Sequence, residues 1–128
     1  MNGFLILKRK GGEFNAIWID DNPSNNYYES KILKAIGVDI EIAKSSMDAL
    51  SLLKKNQYNL ILSDVGRNDN KNEGYEFHLK LIKEKIDIPL IFYTGFVDRS
   101  KGAPPYAFGI AYLPNELLHL FADVVQRV

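Results

Sequence analysis

The sequence predicts an α/β domain built on a doubly wound parallel sheet, and two observations predict it. Five short apolar runs, each bounded by polar or turn residues, recur along the chain, and stretches with helical spacing separate them. Bounded in this way, the runs read as buried parallel strands, as in a sheet covered on both faces. With 128 residues the chain can bury one real core but not two.

The strands are expected at Ala16 to Ile19, Val38 to Ala43, Asn59 to Leu62, Pro89 to Tyr93 and Gly109 to Leu113. The first helix is expected to turn Tyr28, Ile32, Ala35 and Ile36 inward, with Pro23 near its start and Gly37 just past its end. The second would bury Met47, Leu50 and Leu53 and open on Ser45 and Asp48, spaced as in a capping box. The third would bury Tyr75, Leu79 and Ile82, and the last Leu117, Leu120, Phe121 and Val124. Gly102, Pro104 and Pro105 fall where a fourth helix should run between strands four and five, so that helix is expected to be degenerate. Residues 1–14 stand outside the repeat, as a leader, linker or extra edge segment, and residues 15–128 form the domain. Gly11-Gly12 resembles a hairpin turn. Pairing of the leader with strand one is not expected, because the first strand of a doubly wound sheet is interior and both its edges are taken.

Sixteen Lys and Arg balance sixteen Asp and Glu, so no overall field draws the protein to nucleic acid or to an anionic membrane, and neither is an expected partner. The lack of Cys excludes disulfides and thiolate-bound zinc and fits a cytoplasmic location. No apolar run approaches the length of a membrane span. Phe4-Leu5-Ile6-Leu7 precedes Lys8-Arg9-Lys10, the reverse of the order in a secretory signal.

The chemistry is expected at three acids. Asp20 and Asp21 directly follow Ile17-Trp18-Ile19, and Asp64 directly follows Leu60-Ile61-Leu62-Ser63. All three therefore sit at carboxyl ends of strands. In a flavodoxin-like sheet of order 2-1-3-4-5, the ends of strands one and three border the crevice where crossovers diverge and ligands bind. Converging carboxylates repel one another unless a cation sits among them. Oxygen donors without His or Cys select Mg²⁺ or Mn²⁺, which also neutralise incoming phosphate oxygens. Metal-assisted phosphoryl transfer to a carboxylate is the matching chemistry.

Paired acids after strand one, a lone Asp after strand three and a Thr after strand four resemble the response-regulator receiver family over residues 15–127. That resemblance implies that Asp64 is the phosphoacceptor, that Asp20, Asp21, Asp64 and the backbone carbonyl of Gly66 hold the metal, and that Thr94 is the switch. Gly95, after it, would leave room for the phosphate. It further implies phosphorelay partners, a histidine kinase or phosphotransfer protein upstream and an unidentified output protein downstream. A homodimer is compatible with it. Tyr112 is a candidate for the aromatic residue that turns inward when the Thr moves. The sequence departs from the family before Pro114, where Leu113 stands in place of the usual Lys, and Arg67, Lys71 and Lys101 are the neighbouring cations that could substitute.

Two other readings use the same residues. A pseudo-receiver would keep the fold as a phosphorylation-independent interaction module. An enzyme acting on a soluble phosphate ester is disfavoured, because the sequence has no Gly-rich phosphate loop, no Asp-x-Asp pair after strand one and no Ser or Cys elbow. The chain is therefore not expected to be an enzyme. Trp18 reads as core, His78 and His119 as surface or satisfied helix positions, and Tyr28 as packing.

Overall fold

The computed structural model describes residues 14–66, 70–94 and 106–127. Strand β1 (Phe14–Ile19) leads through a 3-10 turn (Pro23–Asn26) into helix α1 (Tyr27–Ala35), followed by β2 (Val38–Ala43), α2 (Ser46–Lys55), β3 (Leu60–Ser63), α3 (Glu73–Lys83), β4 (Leu90–Tyr93), β5 (Gly109–Ala111) and the C-terminal helix α4 (Pro114–Arg127). The five strands are parallel in the order β2-β1-β3-β4-β5, as the sequence predicts. Strand β1 pairs with β2 along one edge and β3 along the other, which leaves no edge for a hairpin partner. Its first residue, Phe14, falls in the segment that the sequence reading leaves to the leader. The Phe14 ring is buried edge-on against Phe121, 5.4 Å between centroids.

The alternation of side chains across the pleat splits the core into two layers. Ala16, Trp18, Leu60, Leu62 and Ile91 face α1 and α4, where Leu33, Leu117, Phe121 and Val124 cover them. Ile17, Ile19, Ile61 and Phe92 face α2 and α3, covered by Ala49, Leu53, Phe77 and Leu81. The central strands β1, β3 and β4 are thus covered on both faces, which is why they read as apolar runs, while the edge strand β2 exposes Asp39, Glu41 and Ile42.

Three predicted helix faces are rotated in the structure. Tyr28 is 75 % exposed and Ile32 also faces solvent, while the inward line runs from Asn26, at the end of the 3-10 turn, through Glu29 and Leu33 of α1 to Ile36 just past its end. The first turn of α1 faces a polar cleft, so its inward positions are polar and the apolar spacing misleads. Met47 is 83 % exposed, and Ala49 and Leu53 carry the burial of α2. In α3, Leu79 is 60 % exposed and Ile82 also faces outward, and Gly74, Phe77, His78 and Leu81 lie inside. His78, expected at the surface or satisfied, is buried, with its ring 5.8 Å from that of Phe92.

Local signals at the helix ends behave as their chemistry dictates. Ser45 caps α2, its Oγ accepting from the Asp48 N–H at 3.1 Å. Glu116, in the first turn of α4, takes the Leu113 and Tyr112 N–H groups on Oε1 at 3.2 and 2.8 Å. Helix α3 ends in paired bonds, Lys85 N–H to the Ile82 carbonyl and Ile86 N–H to Leu81, each 3.0 Å. This winding forces a positive φ, and Lys85 adopts it at 61°. The degenerate helix expected between β4 and β5 falls outside the described residues, as do the basic cluster at Lys8-Arg9-Lys10 and the substitute cations Arg67 and Lys101.

Candidate functional site

Sheet register brings the acids together. Ile19 of β1 pairs with Ala43 of β2 on one side and Ser63 of β3 on the other, so the strands end level. The ladder continues one step further: the Asp20 N–H donates to the Ala43 carbonyl at 2.9 Å, and the Asp64 N–H to the Ile19 carbonyl at 3.1 Å. Asp20 and Asp64 are buried and Asp21 is exposed, and one carboxylate oxygen from each lies within 4.8 Å of the others. Three oxygens about 2.1 Å from one Mg²⁺ can be at most about 4.2 Å apart, so small side-chain rotations would close this trio on a single ion. The donor set is hard oxygen throughout, which fits a hard divalent cation.

The three acids line a cleft of about 440 Å³ together with Val65, Gly66, Tyr93 and Thr94. Thr94 is half-buried and fixed by its N–H to the Ala111 carbonyl, 3.1 Å, which extends the β4–β5 ladder. Tyr112, just past the end of β5, lines the same cleft. Gly95 lies outside the described residues. Lys71 is exposed, and the described residues lining the cleft include no Lys or Arg. Leu113, before Pro114, is also exposed.

The loop after β1 is wound around Asp20. Its Oδ1 accepts from the Asn22 N–H at 2.8 Å and its Oδ2 from Asn26 Nδ2 at 2.7 Å, the second bond being between two buried residues. Asn22 does not cap with its side chain; its Oδ1 instead accepts from Ser24 Oγ. On the other strand, Gly74 gives α3 its close approach to the Asp64 loop. The Gly74 N–H donates to the Val65 carbonyl at 2.7 Å, and a Cβ at this position would collide with the Asp64 carbonyl oxygen.

Three residues of the site escape a reading of the sequence: Asn26, Glu29 and Tyr93. The Tyr93 hydroxyl donates to Glu29 Oε2 at 2.6 Å, and both line the cleft. Burial first, then Glu29 as hydrogen-bond acceptor and as neighbouring charge, pushes the Tyr93 hydroxyl pKa well above the ordinary value for tyrosine. The Tyr93 ring stands edge-on to Trp18, 6.1 Å between centroids. Trp18 is buried, as expected of a core residue, and its Nε1 has no hydrogen-bond partner among the described residues. The signal that could have revealed Asn26 and Glu29 is their spacing with Leu33 and Ile36, a helix face that is polar at the end nearest the acidic pair.

This is the receiver-domain fold of two-component response regulators, carrying an acidic pocket formed by Asp20, Asp21 and Asp64. The Francisella response regulator 1452 receiver domain superposes with a TM-score of 0.77 over 90 % of this chain and 98 % of that one, at 17 % identity. TrrA of Thermotoga maritima, in a structure with Mg²⁺ and BeF, gives 0.73 over 87 % and 98 %, at 21 % identity. In sequence, the chain is 33 % identical over 99 residues to a probable transcriptional regulator, ycf29, of Pyropia yezoensis, covering 71 % of this chain and 44 % of that protein. It is 30 % identical over 76 residues to the sensor histidine kinase RcsC of Escherichia coli, covering 59 % of this chain. The chain thus spans less than half of the first relative and 8 % of the second. No family model matches the sequence. Among the described residues, no helix is long and apolar enough to cross a membrane.

Proposed function

We propose that this chain is a phosphoacceptor receiver domain in two-component-type signal transduction, with Asp64 as the acceptor. The observation that carries the reading is the convergence of three carboxylates within 4.8 Å, from the ends of β1 and β3, in a cleft that also presents Thr94. Asp20, Asp21, Asp64 and the Gly66 carbonyl would hold Mg²⁺ or Mn²⁺, which supplies charge neutralisation for a phosphoryl group. An Asp64 carboxylate oxygen attacks phosphorus, the bond from phosphorus to the leaving group breaks, and the leaving group departs with the electron pair. Thr94, just past the end of β4, carries a hydroxyl in the cleft that would move toward the new phosphoryl oxygens and carry its loop with it. In this reading the chain is a signalling module of the cytoplasm, not an enzyme acting on external substrates. It would receive phosphate from a histidine kinase or phosphotransfer protein and answer to a separate output protein. The similarity to part of a sensor histidine kinase supports that setting.

A second reading rests on the same cleft. Its described lining carries four carboxylates, Asp20, Asp21, Glu29 and Asp64, and no Lys or Arg, a poor environment for a phosphoryl dianion. That favours a pseudo-receiver acting as a phosphorylation-independent interaction module. Incubation with Mg²⁺ and acetyl phosphate followed by intact-mass measurement separates the two. A phosphoryl adduct that disappears in Asp64→Ala establishes the receiver; its absence at every Mg²⁺ and donor concentration establishes the pseudo-receiver.

A further inference from the structure

Among the described residues lining the cleft, Glu29 is the one acid that lies on a helix, and it occupies a position where a helix facing a sheet normally places an apolar side chain. It is half-buried on the inward line of α1, one turn before the fully buried Leu33. The Tyr93 hydroxyl holds its Oε2 at 2.6 Å. A hydrogen bond donated to a carboxylate fixes its direction, so Glu29 presents a placed negative charge to the cleft. Among the described lining residues no Lys or Arg opposes that charge.

A fixed negative charge acts with opposite sign on the two species a receiver must handle. It attracts a divalent cation and repels a phosphoryl dianion, and partial burial leaves it less screened than a surface charge. We propose that Glu29, held by Tyr93, is a specificity-determining residue of the cleft that strengthens divalent-cation binding while opposing acceptance of the phosphoryl group. This inference rests on the receiver reading for its phosphoryl half. It makes the cleft selective for the cation, so that loading of phosphate becomes the hard step.

Glu29→Gln tests it, because the amide keeps the size of the side chain and an oxygen for the Tyr93 hydroxyl while removing the charge. Mn²⁺ or Mg²⁺ affinity is measured on the full chain by titration calorimetry, and adduct formation from acetyl phosphate by intact mass, with Mg²⁺ raised to saturate each protein. The expected result is a cation Kd raised about 3- to 10-fold and an adduct rate raised by a similar factor, the size of the effect of removing one partly solvated charge from the cleft. The signature is opposition: weaker metal binding with faster phosphorylation. Unchanged values, or a fall in both, overturn the proposal, since packing damage would impair both together. Glu29→Asp keeps the charge, and if it behaves like Glu29→Gln then shape and not charge is responsible, which also overturns it. Adduct formed equally by wild type and Glu29→Gln leaves the receiver reading standing and removes the inference alone. Adduct in the Gln variant but not in the wild type supports the inference, and adduct in neither removes both.

Discussion

The hydroxyl of Tyr93 and the carboxylate of Glu29 meet at 2.6 Å across 64 positions of sequence, tying β4 to α1 at the rim of the acidic cleft. Burial and this acceptor keep the Tyr93 phenol protonated well beyond the ordinary tyrosine value of 10.0. A group whose folded pKa is raised stabilises the fold fully below its unfolded pKa and loses that contribution as pH rises through the folded one. Urea midpoints of the wild type are therefore expected to fall as pH climbs above about 10. Tyr58, raised by burial and by its bond to Glu41, contributes to the same decline. Tyr93→Phe should retain only part of that alkaline dependence, and an unchanged pH profile in the variant would dismiss the contribution of Tyr93.

Asn26 holds Asp20 from a buried position, 2.7 Å from Oδ2. Partners that orient metal-binding carboxylates are commonly worth 10- to 100-fold in affinity, and Asp20 keeps a second anchor in the Asn22 N–H. Asn26→Ala is expected to weaken Mn²⁺ binding by about tenfold, at the low end of that range. Titration followed by the fluorescence of Trp18, the sole tryptophan, checks it.

Gly74 has no room for a methyl group against the Asp64 carbonyl, and Val65 Cα would lie at 3.0 Å from it. Both obstacles are backbone and cannot swing aside. Gly74→Ala should cost about 1–3 kcal/mol of stability and displace the strand end that bears Asp64. Denaturant titration measures the first effect, and loss of the phosphoryl adduct in the still-folded protein measures the second.

Lys85 occupies a left-handed conformation at the end of α3. That costs a side-chain-bearing residue roughly 1–2 kcal/mol, which glycine avoids, though glycine gives back part of the gain through a more flexible unfolded chain. Lys85→Gly is expected to stabilise the domain by about 0.5–1 kcal/mol, read as a raised urea midpoint at constant slope.

Burial pushes the His78 imidazole below its ordinary pKa of 6.5. The contribution of a depressed histidine is present above the unfolded pKa and is lost as pH falls through the folded one. Stability should therefore decline on acidification below about pH 6.5, and more steeply in the wild type than in His78→Leu. Parallel profiles for the two proteins would refute it.

The strands were legible in the sequence because Ile17-Trp18-Ile19 and Leu60-Ile61-Leu62 have to be apolar on both faces, and the acids were legible because each follows its strand without a spacer. The helix faces were less so. Tyr28, Met47 and Leu79 are large apolar residues that the fold leaves in water, while Asn26, Glu29 and His78 are polar residues turned inward. Spacing finds a stripe only when polarity tracks burial, and around a polar cleft it does not. The Tyr93–Glu29 pair was hidden for a different reason: nothing local marks two residues that far apart as partners.

The level ending of β1 and β3 has one more consequence. Because Ile19 and Ser63 share a rung, the separation of Asp20 and Asp64 is set by the spacing between neighbouring strands, a length fixed by backbone hydrogen bonds. The sheet is the ruler and the side chains below are only its filling. Apolar residues within β1 or β3 can be exchanged freely for others of similar bulk without altering the distance between the acids. Insertion of a single residue into either strand would swing its aspartate to the opposite face and erase the pocket in one step.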